Sequence, residues 1–119
     1  WLVKAGLASC FIIISRHIPS AAKSAFTRAL MMDPNDSTAL LELTQIALTE
    51  GEVTAASGYY NDYRAGVRRQ TARALILGVE IARLNGDADM EASNMLVLRN
   101  LYAETPIVRA WTAAQREQR

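Results

Sequence analysis

The sequence resembles itself when it is shifted by 34 positions. The coinciding positions hold a small residue, an aromatic residue one helical turn later, and a leucine-led pair: Ala22, Phe26 and Leu43-Thr44 fall on Ala56, Tyr60 and Leu77-Gly78. A small side chain lets two helices cross closely, and a large one a turn later fills the space beyond the crossing. This repeat therefore predicts a stack of helical hairpins.

Turn and capping residues divide the chain into predicted helices. Gly51 and Gly86 are each expected to end a helix in the left-handed conformation, which glycine adopts at least cost. Pro34 prevents helix continuation, and Asp36 or Ser37 offers a cap for the next helix. Thr105-Pro106 has the same form, with proline at the first helical position. The predicted helices span about 3–16, 20–32, 37–50, 53–66, 70–84, 88–102 and 106–117.

These elements predict an all-α fold in one domain. A chain of 119 residues has room for a single continuous core, so we expect one domain over residues 1–119. Its three hairpins are expected at about 3–36, 37–70 and 71–105, followed by a capping helix at about 106–117. The capping helix is expected to cover the last repeat with one apolar face, formed by Ile107, Ala110, Trp111 and Ala114.

The net charge and the single cysteine exclude some kinds of binding site and cross-link. Thirteen Lys and Arg against twelve Asp and Glu give a net charge of +1, so no overall field attracts nucleic acid or an anionic membrane. Cys10 is the single cysteine, which excludes an intrachain disulfide. The tetrapeptide ending at Cys10 resembles a lipobox, but the apolar run Phe11 to Ile14 follows it, which favours a buried thiol. Because the sequence begins with Trp1, we expect a carboxy-terminal part of a longer protein whose targeting signal lies upstream.

Two clusters of side chains, one aromatic and one basic, resemble binding sites for nucleic acid or for an acidic partner. An aromatic group has the spacing of a helix face, which favours packing over stacking on nucleic-acid bases; it comprises Tyr59, Tyr60 and Tyr63. A basic group is interspersed with uncharged residues, which favours a solvated edge over a site for an acidic partner or phosphate; it comprises Arg64, Arg68, Arg69 and Arg73.

Motifs for catalysis and metal binding are missing from the sequence. His17 has no second histidine, cysteine or carboxylate at ligand spacing and is interpreted as a turn residue. Cys10 and His17 lack an accompanying orienting acid and oxyanion donor. No phosphate-binding glycine loop or nucleophile elbow is present. We therefore expect a protein that is not an enzyme and that has no metal and no cofactor.

Specific residue strings resemble a known family. The 34-residue period resembles the tetratricopeptide repeat. The string LILGVEIARLNGD at 75–87, followed by Ala92-Ser93 and by LRNLY at 98–102, resembles the last repeat of the type IV pilus biogenesis and stability lipoproteins of the PilF/PilW type. The string ALMMDPN at 29–35 resembles their preceding repeats.

The resemblance implies a tetratricopeptide superhelix that binds another protein without catalysis. It further implies a periplasmic location at the inner leaflet of the outer membrane, through a lipid anchor upstream of this soluble fragment. The implied partner is a subunit of the outer-membrane secretin, whose assembly or stability the protein would assist. Two alternatives remain open: a tetratricopeptide adaptor of another envelope or cytoplasmic complex, and a regulatory tail of a catalytic protein.

The resemblance also implies a partner-binding groove. In tetratricopeptide stacks, the first helix of each hairpin lines a concave surface. The corresponding residues are Thr38, Leu41, Gln45, Leu48, Thr49, Ala72, Leu75, Val79, Ala82 and Arg83. This mainly apolar set suits an amphipathic helix or an extended segment. Alternatively, the last helix or a neighbouring molecule fills the groove. The set contains no Lys and Asn to hold a terminal carboxylate, which argues against a chaperone-tail clamp.

Overall fold

The computed structural model describes residues 20–117, which form six α-helices. In chain order these are α1 (Ser20–Met32), α2 (Ser37–Thr49), α3 (Val53–Gly66), α4 (Ala72–Asn85), α5 (Ala88–Leu101) and α6 (Pro106–Glu117). The predicted all-α class is confirmed. The largest boundary difference is at α4, which begins at Ala72 rather than at 70. The predicted helix at 3–16, and with it Cys10 and His17, lies outside the described residues.

The described residues form two compact units, 20–69 and 70–117. In the first unit, α2 packs against both α1 and α3. In the second unit, α4 packs against both α5 and α6. The α2–α3 and α4–α5 hairpins fall within the predicted second and third repeats. The interpretation of residues 1–119 as one domain stays a prediction.

The first helix of each of these hairpins ends at a glycine, as the sequence predicts. Gly51 and Gly86 have φ values of 80° and 73°, in the left-handed region. The residue after each glycine donates its backbone N–H to a carbonyl in the last helical turn, and both of these bonds measure 2.8 Å. Carbonyls that the helix itself leaves unpaired are thereby satisfied.

Side chains also cap the beginnings of these helices. Asp36, one of the two expected caps of α2, accepts a hydrogen bond from the backbone N–H of Ala39 at 3.1 Å. Pro106 is the first residue of α6, as expected. Thr71 and Asp87, which the sequence analysis did not single out, cap α4 and α5 in the same way as Asp36 caps α2. Each cap supplies an acceptor that the first helical turn lacks.

On α3, the core of unit 20–69 follows the predicted alternation of small and large side chains, whereas α1, where the same alternation was predicted, has no buried residue. Ala56 and Tyr60 on α3 are both completely buried. Tyr63 is also buried, and its ring stacks on that of Tyr60 with centroids 6.3 Å apart. Tyr59 is half-buried. The aromatic group therefore packs within the protein, as predicted, rather than presenting free rings for nucleic-acid stacking.

The core of unit 70–117 joins α4, α5 and α6. One continuous cluster of buried apolar side chains is formed by Ala72, Leu75, Ile76, Val79, Leu98, Val108 and Trp111. The prediction of the apolar face of α6 is partly wrong. Ala110 is exposed, whereas Val108, which was not assigned to that face, is buried. Compared with the prediction, α6 is rotated about its own axis. Val108 and Trp111 pack against α4 and α5, and Ala110 is exposed to solvent.

Candidate partner-binding surface

The α2 half of the predicted groove is unevenly accessible. Thr38 is exposed, and Leu48 and Thr49 are half-buried. Leu41 and Gln45 are buried, with 7% and 1% of their surfaces exposed. A partner that approaches α2 would therefore meet Thr38 and the edges of Leu48 and Thr49. The binding role of these five residues stays a prediction.

The α4 half of the predicted groove lies mostly under α6. Ala72, Leu75 and Val79 belong to the same buried cluster as Val108 and Trp111 of α6. Ala82 is completely buried, and Arg83 is half-buried. The last helix thus occupies this face of α4, which is one of the two alternatives that the sequence left open. A partner-binding role for these five residues also stays a prediction.

A buried polar network, which the sequence analysis missed, links α6 to α4. The carboxylate of Glu80 on α4 is 1% exposed and accepts a hydrogen bond from the indole N–H of Trp111 at 2.9 Å. The second carboxylate oxygen, Oε2, has no hydrogen-bond partner among the described residues. The guanidinium Nη1 of Arg83 lies 3.8 Å from Oε1, so one neutral donor and one nearby positive charge partly offset the lost hydration of the carboxylate.

Arg83 extends this network to α5 and to the last turns of α6. Its Nε donates to Glu91 at 2.9 Å, and its guanidinium also donates to the side-chain oxygen of Gln115. The same guanidinium lies over the Trp111 ring, 5.5 Å from the ring centroid. Arg83 was predicted as a polar handle for a partner. In the structure it bridges three helices of its own unit.

The environment of Glu80 shifts its protonation equilibrium. Burial raises the pKa of the Glu80 carboxyl, because the charged form loses solvation. The hydrogen bond from Trp111 and the positive charge of Arg83 oppose this rise in pKa, while the nearby charge of Glu91 adds to it. One feature of the sequence indicates this buried network: Glu80 is a single acidic residue inside an apolar helix, between Val79 and Ile81.

A second surface of this unit is an open cleft between α5 and α6, of about 360 Å³. Its floor consists of apolar side chains, including Met95, Leu98 and Trp111. Three arginines line its sides: Arg99, Arg109 and Arg116. All three are exposed, and they are separate from the basic group that the sequence analysis singled out. We call this surface the arginine cleft.

The predicted basic group is solvated at most of its positions. Arg64, Arg68 and Arg69 are exposed and belong to unit 20–69, whereas Arg73 is half-buried and belongs to unit 70–117. The guanidinium of Arg64 lies 5.6 Å from the centroid of the Tyr60 ring. This contact stabilises α3 locally through a cation–π interaction.

The described part of the chain has neither a candidate metal cluster nor a candidate membrane span. Within residues 20–117, no group of three or more histidine, cysteine and acidic side chains is arranged to hold a metal ion. None of the six described helices combines the length and the apolar character that crossing a membrane requires.

Comparison with known proteins supports the resemblance to a pilus protein family. Over 84 residues, the chain is 34% identical to the type IV pilus assembly protein PilF of Pseudomonas aeruginosa. A solved structure from the functional characterization of Pseudomonas aeruginosa PilF superimposes with a TM-score of 0.74 at 32% identity, over 80% of this chain. Over this region, the chain is a homologue of the pilus assembly protein PilF. A scan against models of protein families finds none that matches.

The homology covers a partial region of these proteins. The aligned part is 71% of this chain but 33% of the PilF sequence, and the superposition spans 42% of the PilF structure. The structure of PilW, a widely conserved type IV pilus biogenesis factor, superimposes with a TM-score of 0.66 over 76% of this chain and 41% of PilW. At 23% identity, the PilW comparison supports the fold alone. The helical hairpins of this chain therefore match those of the PilF/PilW tetratricopeptide proteins.

Proposed function

We propose that this chain is part of a non-catalytic scaffold that assists the assembly or stability of the type IV pilus outer-membrane secretin. The observation that carries the proposal is the 34% identity to a type IV pilus assembly protein over 84 residues. The matching fold, with a TM-score of 0.74, supports it. Stacked helical hairpins present broad surfaces to protein partners, which suits a scaffold.

The location that goes with this function is the periplasm. We propose that the full-length protein is held at the inner leaflet of the outer membrane by a lipid on an upstream cysteine. Labelling cells with a radioactive fatty acid, followed by membrane fractionation, tests this location. Unlabelled full-length protein in the cytoplasmic fraction would contradict it.

Deletion of the gene tests the scaffold function. We expect the deletion strain to lose heat-stable secretin multimers on immunoblots and to lose twitching motility. The full-length gene should restore both properties. Normal multimers and normal motility in the deletion strain would instead favour an adaptor of another complex.

A matched pair of variants tests the α2 half of the predicted groove. Thr38 and Thr54 are both exposed threonines at the second position of a helix, in α2 and α3 respectively. Thr38→Arg places a bulky cation on the predicted surface, whereas Thr54→Arg places the same group on the second helix of the hairpin. We expect Thr38→Arg to reduce co-purification of the secretin subunit and Thr54→Arg to leave it unchanged. Equal recovery with both variants would exclude this surface.

A further inference from the structure

We propose that the arginine cleft between α5 and α6 binds a short acidic segment of a partner protein that carries bulky apolar side chains. The apolar side chains would lie over Met95, Leu98 and Trp111, and the carboxylates would meet Arg99, Arg109 and Arg116. This goes beyond the proposed scaffold function, since the cleft shares no residue with the predicted groove.

The apolar floor offers a small contact area to the bulky side chains, because most of its residues are buried in the core. Leu98, Val108 and Trp111 form the base of the cleft and are fixed by the core of unit 70–117. Met95 is half-buried and borders the same space. A volume of about 360 Å³ is at the lower end of the range for ligand clefts. It accommodates a few apolar side chains, not the whole face of a long helix.

The charge of the cleft decides the chemistry of the occupant. Three of its ten lining residues are arginines, and none is acidic. Arg109 pairs with Glu104, an exposed residue outside the lining. The side chains of Arg99 and Arg116 make no ion pair or hydrogen bond with any described residue, although both are long and carry five donors each.

Arginine suits carboxylates particularly well. Its planar guanidinium binds a carboxylate through two parallel hydrogen bonds, and its weak hydration makes it effective at protein interfaces. An apolar base surrounded by polar side chains is also the usual anatomy of a protein interface. Together, the base and the three guanidinium groups match an acidic segment with apolar anchors.

A peptide-binding experiment tests this inference with the full 119-residue chain. The probe is a short fluorescein-labelled peptide of alternating leucine and glutamate blocks, and its binding is followed by fluorescence anisotropy. We expect saturable binding that weakens as salt is added, because ions screen exposed charge pairs. A peptide with glutamine in place of glutamate should bind about tenfold more weakly. Equal binding of the two peptides would overturn the proposal.

A triple variant locates the binding site, and a second triple variant controls for net charge. Arg99→Gln, Arg109→Gln and Arg116→Gln together should weaken binding of the glutamate peptide by about tenfold. Arg28, Arg68 and Arg69 are exposed residues of the other unit. Replacing those three by glutamine removes the same charge and should leave the affinity unchanged. Equal losses in the two triple variants would show a general charge effect and overturn the proposal.

A single substitution on α6 gives an independent test that leaves the core intact. Ala113 lines the cleft and is exposed, and Ala110 on the same helix is exposed but lies outside the lining. Ala113→Glu should abolish binding of the glutamate peptide, whereas Ala110→Glu should preserve it. Both variants should retain the helical circular dichroism of the parent chain. Equal binding by the two variants would exclude the cleft.

Vesicles distinguish a protein segment from an anionic lipid surface. We expect phosphatidylglycerol vesicles not to displace the peptide and to bind the two triple variants equally. Displacement that depends on the three cleft arginines would overturn the proposal in favour of a membrane contact. These peptide measurements do not involve the secretin, so their failure is distinguishable from failure of the scaffold function.

Discussion

The indole N–H of Trp111 donates a hydrogen bond to the buried carboxylate of Glu80, and the two residues are 31 positions apart in the sequence. This bond joins the middle of α4 to the middle of α6. Around it, Val108 and Trp111 pack into the apolar cluster of their unit. The position of the last helix therefore depends on this bond and on the contact of Arg83 with Gln115, as well as on burial of its apolar face.

Removing the indole donor should destabilise unit 70–117. Trp111→Phe keeps an aromatic ring but leaves the Glu80 carboxylate without its hydrogen bond. An unsatisfied buried acceptor costs about 1–3 kcal/mol, and more when it is charged. Urea denaturation followed by circular dichroism measures the loss. Ala113→Ser, an exposed change on the same helix, is the control and should have little effect. Equal unfolding midpoints for Trp111→Phe and the parent chain would contradict this prediction.

The stability of the chain should depend on pH through Glu80. Burial raises the pKa of the Glu80 carboxyl in the folded state, so the folded chain binds this proton more tightly than the unfolded chain. The resulting stabilisation is fully present below the unfolded-state pKa and is lost as pH rises through the folded-state pKa.

Glu80→Gln isolates this pH effect, because glutamine is similar in shape and does not titrate. The free energy of unfolding of the parent chain, minus that of Glu80→Gln, should decrease from acidic to neutral pH. Denaturant titrations of both proteins over that range give the difference. A difference that does not change with pH, or that increases, would show that the carboxyl does not titrate as the structure indicates.

Enlarging Ala56 should destabilise the α2–α3 hairpin. Ala56 is completely buried on α3, so Ala56→Leu forces additional atoms into a filled space. Overpacking of this kind costs about 1–3 kcal/mol. The neighbouring Ala55 is exposed, and Ala55→Leu is therefore the matched control. Thermal unfolding should show a lower melting temperature only for Ala56→Leu, and similar curves for both variants would contradict the assigned packing.

Two glycine substitutions should have opposite effects. Gly86 has a φ of 73° at the end of α4, and a side chain in this left-handed conformation costs roughly 1–2 kcal/mol. Gly58 lies inside α3, with no atom within 4 Å of the position that a Cβ would take. Gly58→Ala should stabilise by up to about 1 kcal/mol, because alanine favours helix. Denaturant midpoints should therefore fall for Gly86→Ala and rise for Gly58→Ala; shifts in the same direction would contradict the assigned backbone.

The sequence by itself determined where the described helices lie and which positions of α3 form the core of its hairpin. Gly51 and Gly86 end α2 and α4 because the left-handed conformation at a helix end is a local preference of glycine. Pro106 fixes the start of α6 because proline lacks a backbone N–H. Ala56 and Tyr60 were recognisable as core residues because the repeat records the spacing of a close helix crossing.

Tertiary structure decided what surrounds each helix face. The rotation of α6 exposes Ala110 and buries Val108, because Val108 and Trp111 pack into the cluster that α4 and α5 also form. Glu80 stands in an apolar helix, and its partner Trp111 is distant in the sequence, so no local pattern joins them. The arginine cleft likewise combines residues of two helices whose proximity arises only when both pack against α4.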